Sequence, residues 1–497
     1  MTCRGVHKAD LFTSLLVFLV AVPLCVGVAM ASGVPAELGL VTGIVGGLVA
    51  GLLPGGGLQV SGPAAGLTVL VYEAVQAYGL RTLGVLVLGA GLVQLALGAL
   101  RLGRWFRAVS VAVAQGMLAG IGLVLVAGQV YALGDATAPG SGLGRLAGLV
   151  SLPGRVDPVA LSVGGATMVV LLLWSRWRRG ARLVPAPVPA IALAAGVTWA
   201  FDLEVRRVQV RGLWDAVRVP EAADFGRLTE VGVIGTVVAF ALIASAESLF
   251  GAAAVDRSRD GRRTDHDREL MAQGAGNAVC GVLGALPMTS LILRSAAGRA
   301  PSRGVRAVAR TRVSRVLHGV WLLLFAAFLP GVLEVVPVAA LAGLLVHAGC
   351  RFVPVREVRA LWRGHRGEVL VLGVTAVAIV VGNLFEGVLV GLALAVAKTA
   401  WEISHVHVET EDRGDDGIVV RVVGHATFLR LPKLLDALDA LPYDRKVRLE
   451  LAGLRHADHA CAAALEGWAA ARQRRAERRT ELQGEAQGEV ATSSSTS

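Results

Sequence analysis

Apolar runs about as long as a bilayer is thick alternate along this chain with short polar stretches rich in arginine. A membrane-crossing helix needs about 20 mainly apolar residues. By that measure spans fall near 11–31, 37–53, 63–78, 82–100, 109–130, 159–175 and 184–200. A polar stretch, 201–230, follows, and then a second set near 231–251, 270–286, 288–298, 311–329, 338–350, 367–382 and 384–401. This gives 14 transmembrane segments in two sets of seven, repeat one at about 11–200 and repeat two at about 231–402. After Trp401 the pattern changes. Residues 406–408 lead into a polar turn region at 409–417, 418–423 reads as a strand, and 431–441 as an amphipathic helix. A second strand alternates over 447–451 and a second helix over 460–475, an α/β pattern. The Gly, Glu, Ser and Thr of 483–497 predict a disordered tail. The expected divisions are therefore a membrane part, 1–403, a small α/β domain, 404–482, and the tail.

Composition agrees and excludes rivals. Only 17% of residues are charged, against about 25% in soluble domains, which rules out a soluble enzyme. Glycine, at 62 residues, suits membrane helices, where it lets backbones approach closely. A net charge of +11 could point to nucleic acid, but aromatic residues are scarce and most arginines lie in short loops between apolar runs. Loops with Arg101, Arg104 and Arg107, with 176–182, 257–268, 299–315 and 351–366, alternate with loops nearly free of arginine. The positive-inside rule then places the amino terminus in the cytoplasm, and an even span count returns the carboxyl terminus there. The exception, 201–230, mixes both signs of charge and reads as a solvated patch. No nucleic-acid partner is expected. Ala29-Met30-Ala31 resembles a signal-peptidase site, yet the apolar run before it exceeds a signal core and further spans follow, so it reads as a first membrane helix. Cys3, Cys25, Cys280, Cys350 and Cys461 are dispersed, with no disulfide framework and no metal-ligand spacing.

Seven spans per set give the two halves opposite orientations, an inverted-repeat layout used by secondary transporters. In such proteins, spans broken at matching places mark the binding site. Here the third span opens Val60-Ser61-Gly62-Pro63-Ala64-Ala65-Gly66, and the tenth, its counterpart, Ala285-Leu286-Pro287-Met288-Thr289-Ser290. Two helix amino termini facing each other would offer unpaired N–H groups and about half a positive charge each. Ala64, Ala65 and Gly66 would bind an anion from one side, and Thr289, Ser290 and Leu291 from the other. The bland reading is that the prolines simply break helices. Glu247 lies inside the apolar run 237–249, where a charge costs about 2.5–3.5 kcal/mol even on lenient insertion scales. It must face a cavity, pair with a cation such as Arg294, carry a proton, or sit at a solvated span end. Glu37, Glu73, Glu334 and Glu386 fall near span ends and read as interfacial.

These stretches resemble the sulfate permease family of anion transporters. Val20-Ala21-Val22-Pro23 with Ala31-Ser32-Gly33-Val34-Pro35 is similar to its first span, and 60–66 to its third. Arg268-Glu269-Leu270, Gln273-Gly274, Asn277 and then 281–295 are similar to its ninth and tenth. Residues 449–454 with Ala457-Asp458 resemble a STAS domain, the family's cytoplasmic appendage. The resemblance implies an all-α polytopic membrane protein of 7+7 inverted repeats, divided into core and gate domains, with elevator-like movement and a homodimer. It implies no enzyme activity and no cofactor. It also implies that Arg294, in an Arg-Ser pair, adds positive field to the substrate site, or else snorkels to the cytoplasmic face. In the family an acid at Glu247 lies near the substrate, and some members add a threonine four residues on to hold sodium. Gly251 stands there in this chain, which favours a proton over sodium. Leu24 and Val28 replace pocket-lining polar and aromatic residues, leaving that side drier. The STAS-like run 457–461 has no hydroxyl to phosphorylate, and its histidines read as surface residues. The expected function is secondary active transport of a small anion (sulfate, bicarbonate, chloride or a dicarboxylate) across the cell membrane, coupled to protons. The alternatives are a sodium-coupled bicarbonate transporter and a membrane-anchored STAS signalling protein without transport.

Overall fold

A computed structural model of the protein describes residues 8–55, 60–103, 110–177, 184–257, 264–291, 312–353, 355–414, 417–442 and 445–493. The chain divides into two compact units, Met1–Leu392 and Ala393–Ser497.

The first repeat comprises α1 (Lys8–Ala31), α2 (Ala36–Val45), β1 (Val60–Pro63), α3 (Thr68–Tyr78), α4 (Leu80–Ala99), α5 (Val111–Leu133), the short α6 (Gly142–Gly148), α7 (Pro158–Arg176) and α8 (Pro187–Ala200). A π-helical turn, Gly46–Ala50, extends α2. The second repeat comprises α9 (Val231–Arg257), α10 (His266–Val282), β2 (Met288–Leu291), α11 (Arg312–Phe328), α12 (Val338–Cys350), α13 (Val355–Gly364), α14 (Arg366–Val381) and α15 (Leu384–Ile403). Every expected span except the tenth has its helix among the described residues; the tenth is described only through β2. Among the described residues, six helices are long and apolar enough to cross a membrane. Local chemistry sets the ends. Ser110 caps α5 by accepting the Ala112 N–H, and Asp157 caps α7 ahead of Pro158. Gly79, at φ 86°, turns the chain between α3 and α4, a conformation that costs glycine little.

The helices pack as two groups. One contains α1–α4, α9–α11 and both short strands; the other contains α5, α7, α8, α12 and α14. These are the core and gate of the inverted-repeat fold. The tightest seam in the core lies between α4 and α10. Gly84 and Gly91 meet the backbones of Gly281 and Ala278, and a Cβ on Gly91 would lie 2.4 Å from the Ala278 nitrogen. This glycine row recurs every seven residues, so two helix backbones touch where side chains would hold them apart. The two groups meet where α1 packs against α12, a Cβ on Gly27 lying 3.3 Å from Leu345, and Arg145 of α6 lies with its guanidinium 5.4 Å from the centre of the Tyr72 ring on α3.

Several expectations need correction here. The stretch 201–230 is more than a solvated patch: Val208 is buried, and it and Arg206 exchange backbone hydrogen bonds with Val336 and Val338. Glu37, in the first turn of α2, is also covered by protein and accepts the Arg211 backbone N–H.

The second unit holds a four-stranded sheet. β3 (Val406–Asp412) pairs antiparallel with β4 (Ile418–Ala426), while β5 (Val447–Glu450) and β6 (Leu454–Ala457) pair with β4 in parallel. Helices α16 (Leu431–Asp439) and α17 (His459–Ser493) complete it. Its core contains Val420, Val422, Leu434, Leu438 and Cys461. Asp458 caps α17, its carboxylate accepting the Cys461 N–H at 2.9 Å. The polar residues 409–412, expected in a turn, continue β3: the antiparallel ladder runs on to Asp412 opposite Ile418, and Arg421 on β4 pairs with Glu411 on its exposed face. Helix α17 also runs through the segment expected to be disordered, as far as Ser493. Its Ala, Glu, Gln and Arg are strong helix formers, and Gln473 donates to Glu477 one turn on.

Candidate functional site

The two broken spans meet as strands. β1 and β2 pair antiparallel, with Ser61 opposite Ser290 and Gly62 opposite Thr289. The Ala64 N–H extends the ladder to the Pro287 carbonyl at 3.0 Å. Antiparallel bonding alternates, so Gly62 with Thr289 and Val60 with Leu291 are the directly bonded pairs. Backbone that leaves a helix within a membrane must find partners inside the protein, and here each broken span supplies them to the other.

This pairing redraws the expected site. The N–H groups of Ala64, Thr289 and Leu291 belong to the ladder, and that of Ser290 is donated to the Ser248 hydroxyl at 3.2 Å. Thr289, Ser290 and Leu291 are therefore strand residues, not the first turn of a helix. Ala65 and Gly66 do open a helical turn, Ala65–Leu67, that leads into α3. Arg294 lies outside the described residues.

Glu247, on α9, reaches this junction. It is buried, at 9% exposure, and its carboxyl group faces the Gly66 backbone N–H and the Thr289 hydroxyl. Contact is close enough that a Cβ on Gly66 would lie 2.9 Å from Oε2. Glu247 Oε2 and Thr289 Oγ1 both lack a well-formed hydrogen bond, which is unusual for buried polar atoms. The structure thus brings together Gly66, Thr289 and Glu247, with Ala65 adjacent in the same turn. A donor turn, a hydroxyl and an ionisable acid converge inside the core. Gly251, one turn beyond Glu247, brings no side-chain oxygen.

Behind the strands lies a polar scaffold that sequence reading touched only in part. Asn277 accepts the Met288 N–H at 2.7 Å, donates to the Met288 carbonyl at 3.1 Å, and donates to Gln94 at 2.7 Å. It serves β2 as a third strand would. Gln94 in turn donates to Ser245 on α9. On the other side, the Gln273 amide nitrogen lies 2.9 Å from the Ser61 hydroxyl, 2.8 Å from the Ser290 hydroxyl and 2.9 Å from Glu269, its two N–H groups shared among the three acceptors. The Ser290 hydroxyl donates to the same Glu269 oxygen. Gln94, Ser245 and Ser248 could have been found as polar residues on otherwise apolar spans. Glu269 and Asn277 stood out only through the family pattern.

The sulfate permease family model matches residues 8–375. YvdB of Bacillus subtilis is 26% identical over 396 residues, covering 78% of this chain and 72% of its own. The bicarbonate transporter BicA of Picosynechococcus is 26% identical over 443 residues, covering 83% of this chain and 74% of its own. Among solved structures, the murine Slc26a9 anion transporter superposes with a TM-score of 0.73 at 16% identity, covering 95% of this chain and 85% of that one. At that identity the likeness is one of fold.

Proposed function

The chain belongs to the sulfate permease family, and from that membership we propose that it is a proton-coupled secondary transporter of a small anion. The observation that carries the coupling is the buried Glu247 carboxyl group against Gly66 and Thr289. A carboxylate and a bound anion repel strongly in a site from which water is excluded. Anion binding at the Ala65–Gly66 turn therefore favours the protonated acid, which also gains a hydrogen-bond donor. Each anion would then travel with a proton. Sulfate and bicarbonate are the first substrates to test, with chloride and dicarboxylates after them.

An elevator-like movement is consistent with where the site residues lie. Ala65 and Gly66 lead into α3, Glu247 is on α9 and Thr289 on β2, all within one packing group. That group could slide as a body against the other, carrying the anion with it. The α/β unit at the carboxyl end would be the cytoplasmic STAS domain, in a homodimer of the cell membrane with both termini inside.

The test is uptake by purified protein in liposomes, using labelled bicarbonate, sulfate and fumarate under an imposed proton gradient and then a sodium gradient. Proton-driven accumulation is expected, and Glu247→Gln should abolish it while leaving anion exchange measurable. Accumulation driven by sodium alone would overturn the coupling. No movement of any anion under either gradient would favour the signalling role.

A further inference from the structure

The sequence between α12 and α14 carries charge of nearly one sign. Arg351, Arg356, Arg359 and Arg363, with Arg366 as the first residue of α14, are joined by a single acid, Glu357. Within it α13 is strongly amphipathic, and Arg359, Trp362 and Arg363 are exposed. Beside α13 the outer face of α14 forms a groove of about 710 Å³. Trp362 and Arg366 close one end, and Leu370, Gly373, Val377 and Val381 line its length. Gly373 makes the notch: a Cβ there would meet nothing within 4 Å. Glu368, in the first turn of α14, accepts the Ser110 hydroxyl and does not line the groove.

We propose that this groove is a binding site for an anionic glycerophospholipid of the leaflet that faces the arginine-rich loops. Three features fit that ligand. From Arg366 to Val381 a helix rises about 22 Å, while one leaflet of hydrocarbon is about 15 Å deep, so an acyl chain lies along the groove without leaving it. Trp362 stands where an indole prefers to be, at the boundary of chain and headgroup. Arg366, with Arg363 and Arg359 nearby, supplies planar guanidinium groups suited to a phosphate diester and to a further headgroup charge. A second copy of the chain fits less well. A two-fold contact through this face sets a patch against its own image, so the arginines would meet arginines.

The full chain would be reconstituted in phosphatidylcholine vesicles containing a trace of lipid with a photoreactive acyl chain. The headgroup would be either phosphatidylglycerol or phosphatidylcholine, and labelled peptides would be mapped after illumination. The phosphatidylglycerol probe should label the peptide spanning 367–381 several-fold more than the phosphatidylcholine probe does. Both probes should label the exposed face of α15 around Leu389 and Val390, which has no arginine nearby in sequence, equally. Arg363→Gln with Arg366→Gln should erase the headgroup preference at α14, and Gly373→Leu should lower labelling by both probes. Equal labelling of α14 by the two probes in the unaltered protein overturns the proposal. So does a preference that survives the double substitution. Efficient disulfide cross-linking between copies carrying Val377→Cys would assign the groove to a second copy instead. None of these readouts depends on transport.

Discussion

Gly66→Ala separates the site from the fold. The added methyl carbon would lie 2.9 Å from Glu247 Oε2 and 3.1 Å from both Cδ and Oε1, where ordinary contact begins at 3.4 Å. The carboxyl group must therefore retreat by about half an ångström. It is the end of a flexible side chain, so the helices can stay in place while the contact with the Gly66 N–H is lost. A hydrogen bond to a charged group is worth about 1.5–3 kcal/mol net. If that interaction forms as anion and proton bind, kcat/KM for uptake should fall by about 10- to 150-fold. The same substitution at Gly46 meets a different obstacle. Its Cβ would lie 2.3 Å from the Ser61 carbonyl oxygen, part of the β1 backbone, which has no such freedom to move. Gly46→Ala should lower the thermal midpoint and the yield of monodisperse protein, whereas Gly66→Ala should change neither. The assay pairs proton-driven uptake in liposomes with thermal unfolding in detergent. Unaltered uptake kinetics in folded Gly66→Ala would show that the contact between this turn and Glu247 does not matter to transport.

Other substitutions probe neighbouring parts of the same structure. Thr289→Val keeps the shape but removes a buried hydroxyl that has no well-formed hydrogen bond, so stability should hold while KM for the anion rises; unchanged KM would remove Thr289 from the site. Asn277→Leu strips three hydrogen bonds and leaves the Met288 N–H and carbonyl and Gln94 Oε1 without them. At about 1–3 kcal/mol for each buried group left unsatisfied, the loss should exceed about 3 kcal/mol. Denaturant unfolding in detergent measures it, and a loss under about 1 kcal/mol would refute the role of Asn277 as a surrogate strand. In the carboxyl-terminal unit, burial first and then the neighbouring Asp458 push the Cys461 thiol up to about 11. The thiolate is the reactive form, so at pH 8 maleimide should modify exposed Cys350 and spare Cys461, as peptide mapping would show. Fast labelling of Cys461 in folded protein would contradict its buried position.

Hydrophobic periodicity was enough to find the membrane spans, because their length is fixed by the bilayer and not by tertiary contacts. The span 338–350 coincides with α12 by its apolar run, although its 13 residues fall short of that length. Paired prolines at Pro63 and Pro287 marked where the two broken spans meet, and Glu247, singled out by the cost of a charge in an apolar run, lies against that junction. The strand pairing was not legible. Whether Met288, Thr289 and Ser290 begin a helix or form a strand depends on whether residues 60–63, more than two hundred positions earlier, lie beside them. No local pattern encodes that distance. The pairing assigns the Thr289 and Leu291 N–H groups to the ladder and leaves the Gly66 turn facing Glu247. The glycine rows on α4 and α10 were visible as letters, yet only packing shows that they meet and carry Asn277 to Met288. Sequence determined which segments enter the membrane and where their helices break. Tertiary structure decided which backbone donors remain for a ligand, because hydrogen-bond partners in a water-free interior are found by contact, not by order along the chain.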